Sequence, residues 1–254
     1  MFERRRNGQS QGPLPFPELT ANAWLRYDSV CRALRTARPI SILEIGAGRG
    51  ALGAWLARRH EYTGVEPDGD SRAAARARLA AVGRGRIVNE LSDIDEQYDL
   101  VCAFEVLEHI DDDLKALRQW LDHVRPGGSL VLSVPAHQSR FGASDELAGH
   151  YRRYERSGLA NRLDEAGFRD IEIWSHGAGL GYALETIRNL LAKQFRRDGS
   201  LEERTSASGR YFQPTGSITA SACAVVAGPF RLVQRPFADT DIGTGYVAFA
   251  RRSR

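Results

Sequence analysis

Cysteine is scarce: the 254 residues hold three, Cys31, Cys102 and Cys223, scattered and without metal-ligand spacing. That pattern excludes a disulfide scaffold and a cysteine-built zinc site. It fits a reducing cytoplasm, which is the expected location. Long apolar runs are also missing. No stretch approaches the roughly 20 apolar residues that cross a bilayer, so no stable membrane insertion is expected. The start, Met1-Phe2-Glu3-Arg4, lacks the apolar segment of a secretion signal. Charge of one sign is nearly balanced, at a formal +3, so no nucleic-acid partner is expected. The arginines at 4–6 and at 251, 252 and 254 read as solvated tails. No internal repeat is visible.

What is present is an α/β pattern. With 42% hydrophobic residues the chain can bury a proper core. Residues 1–18 are polar, with Pro13, Pro15 and Pro17, and read as a flexible arm. Residues 19–254 read as one domain, opening with a helix from Leu19 to Ala37 that Pro39 ends. Ile42 to Ile45 then read as a short buried strand, with Gly46, Gly48 and Gly50 behind it and an alanine- and leucine-rich helix next. Glycine suits a sharp turn where a ligand approaches the backbone. Free N–H groups at the following helix start favour a polar or negative group. The segment therefore reads as a cradle for a nucleotide-like cofactor. Two fingerprints overlap in it. Gly48, Gly50 and Gly53 satisfy G-x-G-x-x-G, the dinucleotide pattern. Glu44, Gly46, Gly48 and Gly50 satisfy E-x-G-x-G-x-G.

Tyr62 to Val65 form a second strand, and Glu66 stands at its end. An acid there either accepts hydrogen bonds from vicinal ribose hydroxyls or serves the dipole of the next helix. Its pairing with the glycine loop favours the ribose. A helix over residues 70–82 and a strand Arg86–Val88 follow, with Asn89, Glu90 and Leu91 placed to meet an adenine. Tyr98 to Phe104 is nearly continuous in apolar residues, as a strand buried on both faces is. It leads into Glu105-Val106-Leu107-Glu108-His109-Ile110. Asp111, Asp112 and Asp113 open a helix, Pro126-Gly127-Gly128 stops it, and Leu130 to Val134 is a fifth strand. Such alternation predicts a mostly parallel sheet with right-handed crossovers. Ligands sit at the carboxyl ends of its strands, where Glu44, Glu66, Glu90 and Phe104-Glu105 all fall.

With these motifs in place, the first 135 residues resemble a class I S-adenosylmethionine-dependent methyltransferase of the type 11/12 kind. Four features carry the resemblance: the glycine loop, Glu66, the run from Tyr98 through Glu105-Val106-Leu107-Glu108-His109, and Arg125-Pro126-Gly127-Gly128. The resemblance implies S-adenosyl-L-methionine as cofactor and S-adenosyl-L-homocysteine as product. It implies that Gly46, Ala47 and Gly48, with Glu44 and Gly50 in the same loop, line the methionine end. Glu66 would hold the ribose, Glu90 and Leu91 would flank the adenine, and Phe104 and Glu105 would lie beneath the sulfonium. His109 would bridge loop and helix. The implied fold is a Rossmann-like seven-stranded sheet whose last strand is antiparallel. Ile171 to Trp174 suit the sixth strand and Gly243 to Ala250 the seventh.

Residues 38–135 thus form the expected cofactor-binding core. Residues 136–156 form an acceptor-facing loop, polar and long, leaving the catalytic edge. This loop resembles a subgroup found with glycan and secondary-metabolite enzymes. Methyl transfer needs alignment and, for a hydroxyl acceptor, removal of a proton. Histidine suits that task. His150 is the first candidate base and His137 the second, with Asp145 as orienting carboxylate. Arg152 and Arg153, with Tyr154 beside them, suit an anionic group on the acceptor. The same residues could instead pin the loop to the next helix.

Residues 177–240 read as an inserted lid. They include an amphipathic helix over Gly181–Phe195 with Leu184, Ile187, Leu190 and Leu191 on one face, and an apolar helix over Ala222–Val233. A lid, a homodimer surface and a membrane-surface contact all fit that composition. The favoured function is O-methylation of a small-molecule or carbohydrate hydroxyl, with no metal. N- or C-methylation, a scaffold without catalysis and a nicotinamide oxidoreductase are the alternatives, and Glu-Val-Leu-Glu-His argues against the last.

Overall fold

The computed structural model describes residues 17, 19–194 and 217–254. The expected arm, apart from Pro17, and most of the polar segment 196–218 lie outside the described residues.

Seven strands form one sheet: β1 (Ser41–Ile45), β2 (Glu61–Val65), β3 (Arg86–Val88), β4 (Tyr98–Phe104), β5 (Val124–Pro135), β6 (Phe168–His176) and β7 (Gly245–Arg252). Their order is β3-β2-β1-β4-β5-β7-β6. β7 runs antiparallel to both of its neighbours, and the other pairings are parallel. All five residues of β1 are buried, as the centre of a covered sheet requires. Pairing of Ile45 with both Val65 and Ala103 brings the carboxyl ends of β1, β2 and β4 together.

The helices are α1 (Ala21–Ala37), α2 (Ala51–Leu56), α3 (Gly69–Val82), α4 (Asp113–Asp122), α5 (Ala143–Ala148), α6 (Arg156–Ala166), α7 (Leu180–Ala192) and α8 (Ser217–Val233). One apolar cluster packs α4 and α6 on one face of the sheet around Leu117, Trp120, Leu159 and Phe168. A second packs α2 and α3 on the other through Leu56, Ala75 and Leu79. Thr20 caps α1, its hydroxyl accepting from the Ala23 amide at 3.2 Å.

Some boundaries differ from the sequence reading. α4 ends at Asp122, so Pro126-Gly127-Gly128 fall inside the early part of β5, where the register against β4 shifts. β6 begins at Phe168, three residues before Ile171. The larger difference is in α7. Ile187, Leu190 and Leu191 are exposed, at 52%, 58% and 40%, while Glu185 on the opposite side is buried. These three look outward, while Glu185 turns inward to pair with Arg140 and Arg153.

The insert between β6 and β7 folds back on α1. Leu19, Ala23, Trp24 and Tyr27 pack against Ala227 of α8. Arg231 pairs with Asp28, and the Gln234 side chain accepts from the Gly177 amide at 2.7 Å while donating to the Leu25 carbonyl. α1, α7 and α8 therefore stand together over the sheet. Among the described residues no helix is long and apolar enough to cross a membrane.

Candidate active site

A cavity of about 880 Å³ opens at the carboxyl ends of the strands. The glycine loop forms one wall. The Gly46 and Ala47 amides donate to the Val65 carbonyl at 3.0 and 2.9 Å, which turns the chain away from β1. Gly46 has φ +72, and a Cβ there would lie 2.5 Å from Val106 Cγ2. Only glycine meets both demands. Glu66 accepts from the Gly48 amide at 2.7 Å and from the Asp68 amide at 2.9 Å. A carboxylate has about four acceptor positions, so Glu66 keeps capacity for two further donors in the cavity. Burial raises its carboxyl above the ordinary value, against those two amides. Glu44, fully buried behind the loop, accepts from the Tyr62 hydroxyl at 2.6 Å.

Asn89, Glu90 and Leu91 line the far end of the cavity. The Arg72 guanidinium donates to the Asn89 side chain at 2.7 Å, and the Glu90 amide donates to Asp93 Oδ2 at 3.0 Å, so the turn is held firmly. Phe104 and Glu105 also line the cavity. Glu105 has φ +56, an uncommon backbone state outside glycine. Ser133 donates to its carboxylate at 2.7 Å, and Arg26 stands 3.6 Å away. Burial opposes its ionisation, yet Arg26 and the nearby His176 and Ser133 outweigh burial and hold the carboxyl below its ordinary value.

The side of the cavity opposite the glycine loop is an ion-pair chain. His150 Nδ1 lies 2.8 Å from Asp145 Oδ1. Arg153 donates to both Asp145 oxygens at 3.0 and 2.7 Å and also binds Glu185 of α7. Arg140 closes the chain, 2.6 Å from Glu185. Burial resists the charge on Asp145, but His150 and Arg153 hold its carboxyl down at about 2. Asp145 and Arg153 are both nearly sealed from solvent and are paired on every side, as buried charges must be. The His109 ring meets His150 edge-on, 4.6 Å between centroids. Burial, then His150, pulls the His109 imidazole down to about 4. Beneath them, Glu108 is fully buried.

Glu44, Gly46, Ala47, Gly48, Gly50, Glu66, Glu90, Leu91, Phe104 and Glu105 therefore line one cavity together with Asp145, His150 and Arg153 or lie at its wall. Three residues chosen from the sequence lie elsewhere. His137 faces away: its ring is held by the Asp241 carbonyl at 2.9 Å and Glu155 at 3.2 Å. Arg152 is drawn to Asp113 and Asp111, at 3.0 and 3.3 Å. The Tyr154 hydroxyl donates to Asp113 at 3.0 Å in the core. Asp113, read as a helix-dipole charge, is thus buried and shared among Arg152, Tyr154 and Arg162. Arg153 does reach the cavity, but its guanidinium is spent on Asp145 and Glu185.

Arg26, Arg188 and His176 are among the cavity residues that the sequence reading did not single out. Arg26 of α1 lies over the Phe104 ring, 5.7 Å from its centroid. Arg188 of α7 donates to the Asn22 side-chain oxygen at 2.9 Å once that amide is turned to face it. His176, at the end of β6, is buried, and burial lowers its pKa to about 4. The available signal was the pair Glu185 and Arg188, charges that interrupt an otherwise apolar helix.

A family model described as a methyltransferase domain matches residues 23–173. A ubiquinone biosynthesis O-methyltransferase of Alkalilimnicola ehrlichii is 37% identical over 120 residues, 43% of this chain and 47% of that protein. A protein of Mycolicibacterium smegmatis described as a probable S-adenosylmethionine-dependent methyltransferase is 31% identical over 169 residues, 63% of this chain and 65% of that one. The chain thus matches about half the length of the first of these relatives. Among solved structures, the N-methyltransferase NodS from Bradyrhizobium japonicum with S-adenosyl-L-homocysteine superposes with a TM-score of 0.55 at 16% identity, over 90% of this chain and 86% of that one. This last likeness is one of fold.

Proposed function

The chain belongs to the class I S-adenosylmethionine-dependent methyltransferase family, and on that premise we propose that it methylates a hydroxyl of a small-molecule or carbohydrate acceptor. The observation that carries this reading is the Asp145–His150 pair, 2.8 Å apart, in the same cavity as the glycine loop and Glu66. The loop would hold the methionine end of the cofactor and Glu66 the ribose. Glu90 and Leu91 would flank the adenine, and Phe104 and Glu105 would lie near the sulfonium, whose positive charge suits an ionised Glu105.

His150 receives the acceptor proton on Nε2. Asp145, bound to Nδ1, fixes the tautomer that leaves Nε2 as a base and stabilises the imidazolium that forms. The acceptor oxygen forms a bond to the methyl carbon as the carbon–sulfur bond breaks, and the bonding pair stays on sulfur as a neutral thioether. The chain contributes alignment and exclusion of water, with α1, α7 and α8 as the covering elements and Arg26 and Arg188 as the cations nearest the acceptor. An amine that arrives unprotonated would need no such base. The curated relative's O-methyltransferase name supports the hydroxyl. The outward apolar residues of α7 and α8 suit contact between two copies, and the free cysteines suit a reducing cytoplasm.

The experiment is turnover with S-adenosylmethionine and a panel of phenols, sugars and amines, read by product mass. A methylated hydroxyl product supports the reading, and methylation of amines alone overturns it.

A further inference from the structure

Glu108 presents a problem that methyl transfer does not solve. Its carboxylate is fully buried, and neither oxygen has a hydrogen-bond partner among the described residues. A buried carboxyl without a partner either keeps its proton or takes a cation beside it. Two imidazoles stand close to it. His150 Nε2 stands 4.0 Å from Glu108 Oε1, beyond hydrogen-bond reach. His109 Nδ1 is also buried without a hydrogen-bond partner among the described residues. One oxygen of Glu108 and one ring nitrogen from each histidine lie within 4.8 Å of one another.

We propose that Glu108, His109 and His150 form a binding site for a divalent transition-metal ion at the edge of the cofactor cavity. Two imidazoles and one carboxylate suit Zn²⁺, Mn²⁺, Fe²⁺ or Co²⁺ better than Mg²⁺ or Ca²⁺, which favour all-oxygen shells. Ligand atoms around such an ion sit about 3.4 Å apart for bonds of about 2.1 Å. The 4.0 Å between His150 Nε2 and Glu108 Oε1 is somewhat longer than that spacing, so binding would draw the ligand atoms together. The surroundings are those of a ligand set. Asp145 holds His150 Nδ1 at 2.8 Å, the carboxylate–histidine arrangement that aims the other nitrogen at a metal. The Tyr151 amide donates to the Glu108 carbonyl at 2.8 Å, so the two ligand-bearing segments are tied together by backbone.

His109 and His150 face the cavity while Glu108 lies behind them, so the open coordination positions point toward the acceptor. This consequence rests on the O-methylation reading. An acceptor hydroxyl bound to the ion releases its proton to water more readily, and its oxygen then attacks the methyl carbon. His150 Nε2 is then a ligand, and the ion takes over the activation otherwise assigned to the imidazole.

The test is metal binding by the full chain, stripped with a chelator and titrated with Mn²⁺ by electron paramagnetic resonance and with Zn²⁺ by calorimetry. The expected result is one ion per chain, with affinity falling at least about tenfold in Glu108→Gln and in His109→Gln. S-adenosyl-L-homocysteine should bind both variants as it binds the parent chain, which shows that they are folded. His150→Gln provides a third variant should either of the first two fail to fold. No binding by the parent chain, or equal binding by the folded variants, overturns the site. The two readings fail separately. An ion that binds while only amines are methylated leaves the site standing and removes the hydroxyl acceptor. Hydroxyl methylation without any ion binding does the reverse.

Discussion

The Gly48 amide donates to Glu66 Oε2 at 2.7 Å, which ties the tip of the glycine loop to the acid that ends β2. Loop and acid are therefore one unit, and the second oxygen is fixed by Asp68 at 2.9 Å. The carboxylate needs no rearrangement to accept a pair of vicinal hydroxyls.

Glu66→Ala is accordingly expected to weaken binding of S-adenosyl-L-homocysteine by about 1–3 kcal/mol, the scale of lost charged hydrogen bonds. Calorimetry on both proteins checks it. Unchanged affinity would take Glu66 out of the site.

His150→Ala should slow turnover by about a hundredfold or more while cofactor affinity stays near that of the parent chain. Single-turnover kinetics beside a binding isotherm separate the two. Normal turnover would leave His150 with a structural role only.

The glycine-loop half of the cavity was legible in the sequence for a physical reason. A strand, a glycine turn and a following acid are local features, and the sheet brings their ends together whatever the rest of the chain does. Phe104 and Glu105 followed from the same rule. The acceptor half was less legible because it is assembled from segments far apart. Arg153 meets Glu185 across 32 positions, and no spacing rule connects them. The sequence ranked His150 before His137 as candidate base but could place neither side chain. Only the packing of the 136–156 loop turns one toward the cavity and the other toward Asp241. Arg152 and Tyr154 were drawn inward by Asp113, whose burial the sequence did not signal. In α7 the sequence showed an apolar stripe but not that Glu185, on the other side, would be buried against Arg140 and Arg153.

That ion-pair chain leads to a stability prediction. Arg153→Met leaves Asp145 and Glu185 with less compensation in a buried place. It should lower unfolding free energy by about 3–5 kcal/mol, the usual cost of breaking one side of a buried pair. Urea denaturation measures it, and a loss below 1 kcal/mol, the range of exposed pairs, would show the network to be solvated.

Gly50→Ala should be destabilising by about 1–3 kcal/mol. Residue 50 has φ +76, and a Cβ there would lie 2.8 Å from the Ala75 Cα, which is backbone and cannot step aside. Thermal unfolding reads the effect, and an unshifted midpoint would mean that α2 and α3 separate freely.

Glu44 gives a pH signature. Burial, opposed by the Tyr62 hydroxyl and Arg26, raises its carboxyl from 4.5 to about 7. The folded chain keeps a proton that the unfolded chain has released. The stabilisation is complete below the unfolded value and is lost as pH rises through the folded one, at about 1.4 kcal/mol per pH unit between them. The stability of the parent chain relative to Glu44→Gln should therefore fall from pH 5 to 7 and level off above. A difference that stays constant with pH contradicts this.

The most direct measurement is a crystal structure with S-adenosyl-L-homocysteine bound. The account expects the ribose hydroxyls on Glu66, the amino-acid end along Gly46–Gly48, and the sulfur above Phe104 on the side that faces His150. A nucleoside lodged away from Glu66, or a sulfur pointing away from His150, would contradict it.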